Sequence, residues 1–270
     1  MMYSVIGLVL LACCNQAAAY VFSSASTVPY VSNFLGALNV SSSDDGTYGL
    51  NAIYTLGPSA VKFDSNGNMI FIEWPLGALR MLTPAGVSST ICPTGSFISF
   101  SQRGFCLDSA NNIYVADWGN NALTQVLAGT ACTKVAWSTA GAIPQATDCA
   151  VDTSGHVFVV SYSGATVYKY TAPNVSTTFY ARGLLGPLNA ASAMTIDSAN
   201  NLYLGSFLYS TIVKITPAGV ASVFAGTSGT PGCNGGTGTS AQFTTPRALT
   251  YNPDGWRGPR VSAPRSAYPR

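Results

Sequence analysis

Four aromatic residues recur at a fixed place in this chain. Trp74, Trp118, Tyr162 and Phe207 follow one another at intervals of 44, 44 and 45 residues, and the residue before each is Glu73, Asp117, Ser161 or Ser206. A ring offers an apolar face and the neighbouring acid an acceptor, a combination suited to sugars, peptides or apolar ligands. Arg103 and Arg247 recur on the same repeat and could meet an anion. Trp74, Trp118, Tyr162, Phe207, Glu73, Asp117, Arg103 and Arg247 therefore form the candidate ligand-binding set.

Catalytic and metal chemistry find less support. His156 is the sole imidazole, which excludes a multi-histidine metal centre, and no G-x-S-x-G nucleophile elbow occurs. Asp64, Asn66 and Asn68 alternate as in an oxygen-rich calcium loop, yet Pro75 stands where an EF-hand needs its twelfth-position carboxylate. Gly236 to Ala241 formally match a dinucleotide fingerprint, but neither the preceding strand nor the following helix is there, so the stretch reads as a flexible linker. No catalytic residue, cofactor or metal is expected.

The period has a structural origin. VKFDSNGNMIFIEW, FCLDSANNIYVADW, CAVDTSGHVFVVSY and MTIDSANNLYLGSF align on Asp64, Asp108, Asp152 and Asp197, and LTYNPDG places Asn252 in the same slot 55 residues later. In each copy an apolar strand ends at the anchor, whose side chain can accept from the backbone two residues on and start a tight turn. Three residues later stand Gly67, Asn111, Gly155, Asn200 and Gly255, types that tolerate positive φ. His156 fills the slot held elsewhere by Asn68, Asn112 and Asn201, which makes it a turn residue.

A second strand follows each turn. A third is centred on Leu79, Leu123, Val167 and Ile212, and a fourth covers residues 88–91, 133–137, 176–180 and 221–224. Four short strands every 44 or so residues predict an all-β fold, a β-propeller of four whole blades plus partial strands. The aromatic residues would then lie along one face, together with Ser59, Arg103, Thr147, Ser192 and Arg247, each five residues before an anchor. The competing expectation is that the rings pack between blades as core.

Asn112 to Asp117 (NIYVAD), Gly119 to Asn121 (GNN), Ile215 to Gly219 (ITPAG) and the stretch from Phe224 to Arg247, ending in A-x-F-x-x-P-R, resemble the NHL-repeat propellers over about residues 30–255. The resemblance implies a ring of about six blades. The chain supplies four, a first strand of a fifth at Arg247 to Tyr251, and a lone outer strand in VPYVSNFLG, so it is expected to break off after about Gly255. The alternative is an open or smaller ring sealed by the tail or by a partner chain.

Related propellers include gluconolactonase-like and strictosidine-synthase-like enzymes. Glu73 is the only Glu here, and Gly57 to Val61 lack the acid that lactonase relatives carry there. The expected function is a non-catalytic scaffold binding a protein, peptide or glycan on one face. A lactonase-like hydrolase, or the extracellular sensor domain of a truncated receptor, are the alternatives.

The compartment follows from the amino terminus. Residues 5–14 are apolar and too few to span a bilayer, and Ala17 to Ala19 give a small-residue cleavage site, so residues 1–19 read as a signal peptide of a secreted, extracellular protein. Lipid attachment at Cys13 is the minor alternative. Residues 20–56 would hold the outer strand and linker, 57–256 the repeats, and 257–270 an Arg/Pro-rich tail. Oxidising surroundings suggest disulfides between Cys92 and Cys106 and between Cys132 and Cys149, against the reading as buried thiols. Asn39 and Asn174 begin glycosylation acceptors. Charged residues are only 8% of the chain, and four of its 12 basic residues lie in the tail, which leaves no basic face for nucleic acid. No segment predicts a transmembrane helix.

Overall fold

The structure, a computed structural model, describes residues 9–10, 19–20, 58–73, 76–97, 104–181, 188 and 190–251. A short antiparallel pair joins β1 (Val9–Leu10) to β2 (Ala19–Tyr20). The repeats then form four sheets. The first blade comprises β3 (Pro58–Phe63), β4 (Met69–Glu73), β5 (Ala78–Leu82) and β6 (Ser88–Cys92). The second holds β7 (Gly104–Leu107), β8 (Ile113–Asp117), β9 (Ala122–Val126) and β10 (Lys134–Ala136). The third holds β11 (Ala146–Val151), β12 (Val157–Ser161), β13 (Thr166–Ala172) and β14 (Val175–Tyr180). The fourth holds β15 (Ala191–Ile196), β16 (Leu202–Ser206), β17 (Thr211–Ile215) and β18 (Ala221–Ala225). Every sheet is an antiparallel meander in chain order, the β-propeller architecture that the spacing predicts.

Burial follows position within a blade. The second strands are apolar on both faces, and all five residues of β8 and of β12 are buried, because the second and third sheets are each covered by a blade on either side. The outermost β14 is exposed over Val175 to Thr178. Inner strands adjoin in order, β3 on β7, β7 on β11 and β11 on β15. The core fills the wedges between them, with Phe105, Leu123, Val159, Leu188, Met194 and Leu204 among its fully enclosed side chains.

The anchors form the predicted turns. Asp64 Oδ1 accepts from the N–H of Asn66 (2.9 Å) and of Asn68 (2.8 Å), while its Oδ2 accepts from the Asn68 amide. Asp108 and Asp197 repeat the pattern. Gly67, Asn111, Gly155 and Asn200 adopt φ of 78°, 64°, 83° and 62°. The two Asn residues also reach the preceding blade: Asn111 exchanges hydrogen bonds with Ser65 (2.8 and 3.0 Å) and Asn200 with Thr153 (3.0 and 3.2 Å).

The cysteine pairing differs from the expected one. The disulfides are Cys92–Cys132 and Cys106–Cys149, with Cα separations of 4.9 and 5.5 Å. The first ties the end of outer strand β6 to the turn before outer strand β10, and the second ties inner strand β7 to inner strand β11. A link from Cys92 to Cys106 would have to span a blade from its outer edge to its inner one, whereas disulfide Cα atoms must stand about 4.4–6.8 Å apart. Cys233 takes part in neither bridge.

Two further differences concern the chain's later part. Residues 226–240 are tied down rather than loose: the Gly226 N–H donates to Gly238 O (3.1 Å), and a single 3-10 turn spans Gly238–Ser240. Arg247 to Tyr251 form no ladder among the described residues. The segment nonetheless docks on the fourth blade, where the Ser192 hydroxyl donates to Pro246 O. Gly205 allows this approach, because a Cβ there would lie 2.7 Å from Pro246 O. Trp74, Arg103 and Asn39 lie outside the described residues, as do 21–57 and 252–270.

Candidate functional site

In a meander the turn from the second to the third strand lies on the opposite face from the Asp-anchored turns. Three successive turns of this kind begin with Trp118, Tyr162 and Phe207, each directly after the last residue of β8, β12 or β16. The strand ends are fixed by what precedes the ring. Asp117 is 2% exposed, and its carboxylate accepts from the Asn120 N–H (3.1 Å) and side-chain amide (2.8 Å), closing the turn around Trp118. In the third blade the Ser161 hydroxyl accepts from the Gly164 N–H (3.4 Å) across the same turn and donates to Pro144 O at 2.5 Å. In the first blade Glu73 is buried beside Arg80, 3.7 Å away.

The structure brings the described rings into one row. Trp118 and Tyr162 stand with ring centroids 5.3 Å apart and planes inclined by 53°, and Tyr162 and Phe207 follow at 6.2 Å and 58°. Each ring is half-buried. The row ends at Arg247, whose exposed guanidinium sits 4.8 Å from the Phe207 ring centroid, a cation–π pair. Thus Trp118, Tyr162, Phe207 and Arg247 form one surface. Glu73 and Asp117 sit one residue behind the ring positions of their blades, enclosed in ion pairing or turn bonds.

The other candidates take structural places. The His156 ring nitrogen Nδ1 lies 2.9 Å from Asp152 Oδ2, and its N–H donates to Asp152 Oδ1, the bonds an Asn makes in the same slot elsewhere. Burial opposes ionisation of Asp152, but the hydrogen bonds from the His156 side chain and from backbone N–H groups prevail and hold the carboxyl below its ordinary range. Asn174 is exposed at the tip of the β13–β14 hairpin with φ of 58°.

One carboxylate escaped the sequence reading. Asp148 lies in inner strand β11, four residues before its anchor, where the other blades have Ala60, Gly104 and Ala193. Its Oδ2 accepts from the Met194 N–H of the fourth blade (2.8 Å), and its Oδ1 from the Cys149 N–H (2.9 Å). On the other side it lies against Gly104 of the second blade, where a Cβ would come within 2.0 Å of Oδ1. Burial pushes the carboxyl up to about 6, against the lowering influence of Lys62 and of the two N–H donors. The available signal was an acid standing in a slot otherwise reserved for small residues.

No family model matches the chain, and no curated relative matches it. Solved structures do. A structural-genomics protein of unknown function from Bacteroides thetaiotaomicron is 13% identical, with TM-score 0.62 over 88% of this chain and 66% of that one. A catalytically inactive virginiamycin B lyase from Staphylococcus aureus, solved with quinupristin, is 12% identical with TM-score 0.57 over 84% and 75%. A nidogen/laminin complex gives 14% identity and TM-score 0.54 over 75% and 68%. The chain spans 54% of a streptogramin B lyase structure that it also resembles. At these identities the likeness shows the fold.

Proposed function

We propose that this chain is a non-catalytic binding scaffold of the NHL-repeat kind, secreted behind the signal peptide at residues 1–19, which takes a protein, peptide or glycan ligand on the face bearing Trp118, Tyr162 and Phe207. The observation that supports this reading is the continuity of the row. A propeller needs apolar side chains between its blades, but it does not need three half-buried rings from three adjacent blades in mutual contact at the turn tips and capped by a cation. Large rigid rings supply contact area at low entropic cost, which is why they dominate binding surfaces. Trp74 and Arg103 recur at equivalent positions of the repeat and would extend the surface into the first blade. Glu73 and Asp117 would act behind the rings, setting the turns that present them. Two disulfides accord with an oxidising compartment, and among the described residues no helix is long and apolar enough to cross a membrane.

Propellers of like fold include a lyase and a protein solved with laminin, so fold does not decide the matter. The test is an array of glycans and peptides offered to the wild type and to the Trp118→Ala/Tyr162→Ala double variant, with thermal unfolding as a folding control. Ligands held by the wild type and lost by a folded double variant support the reading. An unchanged binding pattern refutes it.

A further inference from the structure

We infer that the Tyr162–Phe207–Arg247 end of the row binds a carboxylate-bearing glycan, an oligosaccharide of uronic acids. The inference rests on the binding-face reading above and names its ligand class. Three observations favour it. First, the acid that precedes the ring in the first two blades is replaced here by Ser161 and Ser206, so this half of the row carries no carboxylate directly behind its rings. Among the described residues, the exposed charge in contact with it is Arg247. The guanidinium carbon lies 4.8 Å from the Phe207 ring centroid, and a guanidinium is the side-chain group that takes a carboxylate through two parallel N–H bonds.

Second, the backbone beside the rings is already committed. The Tyr162 N–H donates to Gln145 O and the Phe207 N–H to Ala190 O, both at 3.0 Å, while Trp118 O accepts from Asn121 N–H at 3.3 Å. A peptide adding as a strand has these groups closed to it, and recognition falls to ring faces and the guanidinium edge. Third, a pyranose presents a face of C–H bonds with partial positive charge, which complements the negative face of an aromatic ring. Rings inclined by 53° and 58° to their neighbours match a chain of sugars whose faces turn from one unit to the next better than they match a flat stacked ligand.

The experiment is isothermal titration with three probes: tetragalacturonate, its methyl ester, and a capped tetraglutamate peptide. The proteins are the wild type, Arg247→Ala, Tyr162→Ala and the control Lys169→Ala, which removes a cation next to Asp152 on the opposite face. Tetragalacturonate is expected to bind the wild type and to weaken about ten- to hundredfold on esterification or in Arg247→Ala, the loss due to one charge-assisted pair. Tyr162→Ala should also weaken it, Lys169→Ala should leave it unchanged, and added salt should reduce it. Equal binding of acid and ester, or an equal loss in Lys169→Ala, overturns the inference while the binding face survives. Binding of the peptide but not the uronate at the same residues also overturns it and leaves the face standing. If no probe binds and the array pattern of the Trp118→Ala/Tyr162→Ala variant is unchanged, both readings fall.

Discussion

Replacing Asp148 by Asn tests the physics of the inner strands most directly. A carboxyl with an ordinary value of 3.8 is raised to about 6 by burial between three blades. Each unit corresponds to about 1.4 kcal/mol, so the fold with Asp148 ionised is about 3 kcal/mol less stable than the same fold with it protonated. Because the folded value exceeds the unfolded one, the native state binds more protons in this window. The contribution of Asp148 is therefore fully present below pH 4 and is lost as pH rises through 6. Asp152 and Asp197, both held low in the fold, act in the opposite sense only as pH falls through the ordinary carboxylate range. They are common to both proteins and cancel in the difference. Urea unfolding of wild type and Asp148→Asn at intervals from pH 3 to pH 8 should show the stability of the variant rising relative to the wild type by about 3 kcal/mol, with the rise falling between about pH 4 and pH 6 and levelling off above it, whatever fixed offset the amide introduces. In thermal unfolding this is roughly 6–12 °C in relative Tm for a chain of this size. A difference that stays flat over this range, or that runs the other way, would refute the placement of a charged carboxylate in a dry seam.

Other expectations follow from the same geometry. Peptide mapping without reductant should recover Cys92 linked to Cys132, and replacing both by Ser should lower unfolding stability by about 4 kcal/mol, as the chain-entropy estimate gives for a 40-residue separation. Gly104→Ala should destabilise by about 1–3 kcal/mol or more, because its Cβ would enter the Asp148 carboxylate and come within 2.7 Å of the Asp148 Cα, a backbone atom that cannot simply rotate aside. Expression through a eukaryotic secretory route should add a glycan at Asn174, a mass that Asn174→Gln removes; the absence of that mass at an exposed hairpin tip would count against the secreted reading.

The fold was readable because its information is local. Asp64, Asn66 and Asn68 make their bonds within five residues of chain, and the alternation of apolar strand, turn and apolar strand repeats four times in phase. Cysteine pairing was not readable by proximity along the chain, since what matters is which blade edges adjoin. The separations of 40 and 43, close to one period, were the overlooked clue that equivalent layers of successive blades are joined. Asp148 stayed hidden because a strand within sheet-covered blades buries residues of both parities, so alternation gave no sign of its surroundings. The rings could be assigned to one face from topology, but their contact with one another and the seat of Arg247 on Phe207 depend on how far each blade is rotated from the last, which no single repeat encodes.

The two disulfides fall on the seams between the first and second blades and between the second and third. The seam between the third and fourth is held instead by the bond from the Met194 N–H to the Asp148 carboxylate and by the Thr153–Asn200 pair. In a nearest-neighbour array the total stability is a sum over units and the contacts between them, so each seam can be weakened on its own. Electron supply weakens two seams and proton loss from Asp148 the third. The two chemistries bear on different halves of the same aromatic face: thiol reduction would loosen the half that carries Trp118, and rising pH, which ionises Asp148 in its seam, the half where Tyr162 meets Phe207.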